Sequence, residues 1–168
     1  LLLCTEDVDE FCLQMMRDYK EKEFKNINSG DLGLETEEQK KTAEETATEN
    51  KDLFEEIKKA LNGKIKDVKV NPTLQEHPVT LSSEGGISME MEKILRKMPN
   101  GEGVESTKVL ELNPDHEVFT ALKAAYEAGD TEKVDKYAEL LYDQALLIAG
   151  LPIEDPVAYA QLVCSLMK

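Results

Sequence analysis

Two stretches near the end of the sequence constrain the fold most. Between Leu140 and Ala149 only Asp143 and Gln144 are polar, and between Val157 and Met167 only Gln161 and Ser165 are. A helix that is apolar nearly all round must be covered on more than one side. Each stretch is marked as a helix by its ends. Asp130 stands before "TEKVDKYAELLYDQALLIA" as an N-cap and Gly150 follows as a stop, while Asp155-Pro156 pairs a capping side chain with a proline suited to the first helical turn. The surplus apolar surface implies contact with a second copy of the chain, because a self-complementary two-fold contact is the commonest way for soluble proteins to bury such faces. The residues expected at that contact are Leu140, Leu141, Ala145 and Ile148 on the first helix, with Tyr159, Leu162, Val163 and Leu166 on the second. The competing reading is a three-helix core within one chain.

A second amphipathic segment, "GGISMEMEKILRKMPNG", reads as a short helix over 87–98. At 100° per residue Ile87, Met91, Ile94, Leu95 and Met98 form one apolar stripe, with Met89 on the opposite side. Glycines precede it and a Pro-Asn-Gly turn follows, so it reads as loosely tethered. A stripe of this kind serves either the protein's own core or a partner.

The rest of the chain alternates helices and short strands, an α+β pattern with a small mixed sheet. "LLLC" reads as the end of a buried parallel strand, followed by a helix capped by Thr5 that carries Val8, Phe11, Cys12, Met15 and Met16 on one face. Such a strand needs neighbours, which suggests a piece of a longer polypeptide. "KEFKNIN" is strand-like and "SGDLG" turn-like. The segment 36–61 is polar until Leu53, Phe54 and Ile57 form a stripe, placing a domain boundary near residue 50. "KIKDVKV", "HPVTLS" and "TKVLEL" are strand-like, and Asn113-Pro114 starts another helix, with His116 in its first turn.

With 35 acidic against 20 basic residues, a net charge of −15 and no Lys/Arg cluster, nucleic acid and anionic membrane are poor partners. No apolar run reaches membrane-spanning length. Cys4, Cys12 and Cys164 form no CxxC, stand among apolar residues and read as free thiols of a cytoplasmic protein. His77 and His116 lack metal-ligand spacing, "GEGVES" lacks the third glycine and the lysine of a phosphate loop, and no serine elbow occurs. Nothing in the chain makes an enzyme on its own.

Six stretches together, "DVDEFCLQMM", "KIKDVKV", "EGGISMEMEKILRKM", "LELNPDHEVF", "ELLYDQALL" and "EDPVAYAQLV", resemble the C-terminal third of the bacterial branch of the ninety-kilodalton heat-shock chaperones. The resemblance implies three parts: residues 1–34 as the tail of a middle domain, 35–50 as a polar helical connector and 51–168 as a C-terminal dimerisation domain. It further implies a homodimer through the last two helices, with unfolded or partly folded client proteins as partners. ATP and magnesium would be bound by an N-terminal domain of the parent protein, outside this segment. Carried over motif by motif, the client-contacting positions fall on Glu10, Phe11 and Gln14, and on Ile87, Met91, Ile94 and Leu95. The C-terminal Met167-Lys168 departs from the acidic pentapeptide that recruits tetratricopeptide co-chaperones in eukaryotic relatives, so none is expected by that route. The alternative remains a passive acidic dimerisation scaffold.

Overall fold

The computed structural model describes residues 2–6, 8–27, 33, 36–99 and 103–167. It is α+β: among the described residues there are seven helices, a two-stranded ribbon and a three-stranded sheet. The chain divides into two compact units, one from residues 1–33 with 83–107 and one from 34–82 with 108–168. The segment expected as one C-terminal domain therefore contributes residues 83–107 to the unit that holds the start of the chain.

The first unit holds α1 (Asp9–Met16), the ribbon of β1 (Asp18–Tyr19) and β2 (Lys22–Glu23), and α4 (Met89–Arg96). Helix α1 starts later than the sequence suggests. The Asp9 carboxylate accepts from the backbone N–H groups of Thr5 and Glu6, at 3.0 and 3.1 Å, and winds them into a turn ahead of the helix. No strand forms at Leu2–Cys4, which are exposed and, among the described residues, have no neighbouring strand to pair with. The turn expected at "SGDLG" lies outside the described residues except for Gly33. The Asn100-Gly101 turn and the start of "GEGVES" lie outside them too.

The second unit has the larger core. Helix α2 (Glu37–Glu49) is polar, exposed along most of its length and started by a capping box, in which Thr36 and Gln39 each accept from the other's backbone N–H. It breaks at the buried Asn50, whose side chain donates to the Thr46 carbonyl at 2.8 Å. Helix α3 (Lys51–Ala60) then buries Leu53, Phe54 and Ile57. Strands β3 (Asp67–Val70), β4 (Val79–Glu84) and β5 (Thr107–Leu112) lie in the order β3-β5-β4, with β3 parallel to β5 in the register Val68 to Leu110 and Val70 to Leu112. As the central strand, β5 is buried from Lys108 to Leu112. One of those residues is Glu111, whose carboxylate accepts from Asn71 at 2.7 Å on one side and from the Ser82 hydroxyl on the other.

Helices α5 (Glu117–Glu127), α6 (Thr131–Ile148) and α7 (Pro156–Leu166) complete this unit. Helix α5 begins three residues beyond the expected start because Asn113 is already engaged: it is buried, donates to the His77 carbonyl and accepts from the Asp115 N–H. The cap is instead His116, whose Nδ1 accepts from the Val118 N–H at 3.1 Å. Gly129 and Gly150 end α5 and α6 in the left-handed conformation, and in each case the following N–H reaches back five residues along the numbering, Asp130 to Ala125 and Leu151 to Leu146. Helix α6 packs against α3, α5 and α7. Its buried positions, Val134, Ala138, Leu141, Tyr142, Ala145 and Leu146, follow the i, i+4, i+7 spacing of one helix face. Each large side chain buried in this way contributes about 1.5–3 kcal/mol.

Candidate functional site

Two surfaces carry the residues singled out from the sequence. The first lies within the unit that contains α1 and α4. Ile87, Met91, Ile94 and Leu95 are half-buried and Met98 is 49% exposed, whereas α4 turns Met89 and Glu92 fully inward. Met89, off the stripe, is thus the core methionine of this helix. Glu92 is 1% exposed and is satisfied by the Ser106 N–H at 2.9 Å, the Ser106 hydroxyl at 2.7 Å and the Arg96 guanidinium at 2.9 Å. That network pins the inner side of α4, so the helix is held more firmly than its glycine and proline flanks suggest. Gly85 does supply the left-handed turn before it.

The N-terminus of α4 is tied to α1. Ser88 is its N-cap, and its hydroxyl accepts from the Met91 N–H at 3.0 Å while donating to Glu10. The same Glu10 oxygen accepts from Asn26 at 3.2 Å and Gln14 at 3.3 Å, and the Gln14 amide also reaches the Met91 sulfur at 3.2 Å. Two of the three α1 positions, Glu10 and Gln14, are therefore brought onto the start of the α4 stripe, 77 residues away between Gln14 and Met91. Phe11 is half-buried on the same helix. Ser88, Asn26, Glu92, Arg96 and Ser106 were not among the candidates. A serine ahead of "MEMEK" is an N-cap signature, and it was the one available signal.

The second surface is formed by α6 and α7. Leu141 and Ala145, two expected interface residues, belong to the chain's own core, because they fall on the α6 face turned toward α3 and α5. They are not open to a second copy. On the other side of α6, Leu140 is half-buried and Ile148 is exposed, joined by the exposed Leu147. On α7, Tyr159, Leu162, Val163 and Leu166 are half-buried, and the opposite side is open. That side presents an open, largely apolar face made of Val157, Ala160, Gln161, Cys164 and Ser165. These residues were missed, since periodicity shows that α7 has two apolar faces but not which one meets its own chain. All three cysteines are free, and all three are exposed although their sequence neighbours are largely apolar. At Cys164 the apolar company is itself exposed.

Between these stripes Asp143 stands half-buried, and its carboxyl is raised above the usual carboxylate range chiefly by burial. Lys64 opposes the shift, and Glu139 and Glu154 add to it. The Lys64 ammonium also pairs with Glu154 at 3.4 Å and lies 5.6 Å from the centre of the Tyr142 ring. Among the described residues no group of histidine, cysteine and carboxylate side chains is arranged to hold a metal, and no helix is long and apolar enough to cross a membrane.

The chain is thus α+β, with apolar side chains left partly open on α4, α6 and α7. The pattern of the Hsp90 protein family matches residues 1–168, and the chain belongs to that family. It is similar to the chaperone protein HtpG of Halalkalibacterium halodurans, 54% identical over 99% of this chain and 26% of that protein. It is also similar to those of Clostridium botulinum, 52% identical over 100% and 27%, and Clostridium perfringens, 55% identical over 100% and 26%. The chain thus spans about a quarter of the length of the curated relatives it matches.

Proposed function

We propose that this chain is the homodimerising and client-binding part of an ATP-dependent heat-shock chaperone. The observation that carries the reading is the exposure of the α4 stripe. Ile87, Met91, Ile94 and Leu95 remain half-open although burial of large apolar side chains is favourable, while the inward side of the helix is occupied by Met89 and a fully satisfied Glu92. A methionine-containing apolar strip flanked by Glu10 and Gln14 suits partners that have no fixed sequence, because flexible thioether side chains repack against many shapes. Two such strips in a dimer gain through avidity.

Dimerisation is assigned to the outward faces of α6 and α7, where Leu140 and Ile148 are joined by Leu147 on α6 and by Val157, Ala160 and Cys164 on α7, with the half-buried Tyr159, Leu162, Val163 and Leu166 on the other side of α7. In this reading residues 1–34 close a middle domain and 51–168 serve as the dimerisation domain. Nucleotide and magnesium belong to another part of the parent protein, the segment works in the cytoplasm, and neither nucleic acid nor anionic membrane is a partner of these acidic surfaces.

The test is the double substitution Met91→Ser with Leu95→Ser. Both side chains are only half-buried, so the melting temperature and the dimer mass should be nearly unchanged while affinity for an unfolded model client falls. If the double variant unfolds, or binds the client as well as the unaltered chain, the stripe is not a client surface.

A further inference from the structure

We propose that Glu10 is a positioning residue that holds the client-facing helix α4 in register with α1 by gripping its N-cap. This deepens the client-binding reading and rests on it. A single oxygen of Glu10 collects three donors, from Ser88, Asn26 and Gln14, and so joins the cap of α4, the segment after β2 and the next turn of α1. The cap itself is a relay. Ser88 accepts from the Met91 N–H and donates its own hydroxyl to Glu10, so the hydroxyl that caps the first turn of α4 is oriented by the carboxylate. Gln14 closes the loop on the Met91 sulfur. The other Glu10 oxygen is buried with no hydrogen-bond partner.

That orphaned oxygen is informative, because a buried carboxylate oxygen without a donor costs stability and is retained where the group does something else. Here the something else is orientation. Met91, the first stripe residue inside α4, is held at its backbone by Ser88 and at its sulfur by Gln14, both of which answer to Glu10. Glu10 thus acts on the stripe through Ser88 and Gln14 and sets where Met91 stands.

Ser88→Asp separates the grip from the cap. Aspartate caps a helix as well as serine does, yet it cannot donate to Glu10 and instead sets carboxylate against carboxylate. In the full chain, amide hydrogen exchange at Met91 should rise about fivefold in Glu10→Ala, the loss expected when an N-cap worth ~1 kcal/mol is released. It should rise at least as much in Ser88→Asp. Combining Ser88→Asp with Glu10→Gln restores a donor–acceptor pair with its polarity reversed and should bring exchange back near the starting value. Exchange in α6 should be unchanged throughout, which a general loss of stability would not allow. If Ser88→Asp leaves Met91 exchange unaltered, or Glu10→Gln fails to rescue it, the grip does not exist. The client-binding reading fails separately, when Met91→Ser with Leu95→Ser leaves client affinity intact while the exchange pattern still holds.

Discussion

Leu141 and Leu147 sit on one helix with opposite surroundings, and charging each in turn separates folding from association. Leu141 is 2% exposed on the buried face of α6, which packs against α3, α5 and α7, whereas Leu147 is 50% exposed. Leu141→Asp removes about 1.5–3 kcal/mol of apolar burial and leaves an unpaired ion that costs several kcal/mol more. Together these reach the ~5–15 kcal/mol that holds a typical domain folded. Circular dichroism should show a chain largely unfolded or melting far lower. Leu147→Asp exposes its charge to water in the single chain, so the melt of the monomer should move little. In a two-fold dimer the same substitution enters the interface twice, and two desolvated charges at roughly 2–3 kcal/mol each amount to about 4–6 kcal/mol, a thousandfold or more in the dimer dissociation constant. Sedimentation velocity should show the unaltered chain as a dimer and Leu147→Asp as a folded monomer. A dimer that survives Leu147→Asp refutes the outward face of α6 as the contact, and a monomeric unaltered chain refutes the dimer altogether.

Two further outcomes follow from the same surfaces. Because burial raises the Asp143 carboxyl above its unfolded value, its ionised form is a destabilising one in the folded chain, and that penalty is present above the folded pKa and disappears as pH falls below the unfolded value of 3.8. Asp143→Asn should therefore stabilise the chain at neutral pH, with the advantage shrinking through the acid range, as urea titrations at several pH values will show; an advantage that grows on acidification has the wrong sign. Calorimetry with ATP and magnesium should give no saturable heat, because the sequence lacks a glycine-rich phosphate cradle; a saturable isotherm would reveal a site missed among these residues.

Elements whose ends carry local chemistry were legible in the sequence. Strand β5 spans the "TKVLEL" that β-propensity marks, and α6 and α7 begin at Asp130 and Asp155, whose carboxylates accept the first N–H groups of each helix. Elements decided by distant partners were not. The Asn113-Pro114 pair reads as a helix start, yet Asn113 is engaged by His77, 36 residues earlier. "LLLC" reads as a strand, but a strand is defined by its neighbour. For the candidate site, periodicity located the α4 stripe and assigned Met89 to the other side. It could not show that Glu92 is the inward residue, because a buried carboxylate is recognisable only once Ser106 and Arg96 stand beside it. Nor could it choose between the two apolar faces of α7, where Val157 is 65% exposed and Leu162 half-buried.

The carboxylate of Glu111 has a bearing on how faithfully the sheet assembles. In parallel pairing β3 and β5 set Val68 beside Leu110 and Val70 beside Leu112, and such apolar pairs alone specify register weakly, because a shifted strand can offer another valine or leucine. Glu111 removes that freedom. It is buried on the central strand and is satisfied only when Asn71 arrives from the β3 side and Ser82 from the β4 side together. A slip of either strand by one residue turns a satisfied acid into a bare charge inside the protein, a mistake far more costly than the misfit of a few methyl groups. The residue therefore works as a proofreading device for the whole sheet: mispaired intermediates are penalised at one point, and both flanking strands are checked by the same side chain.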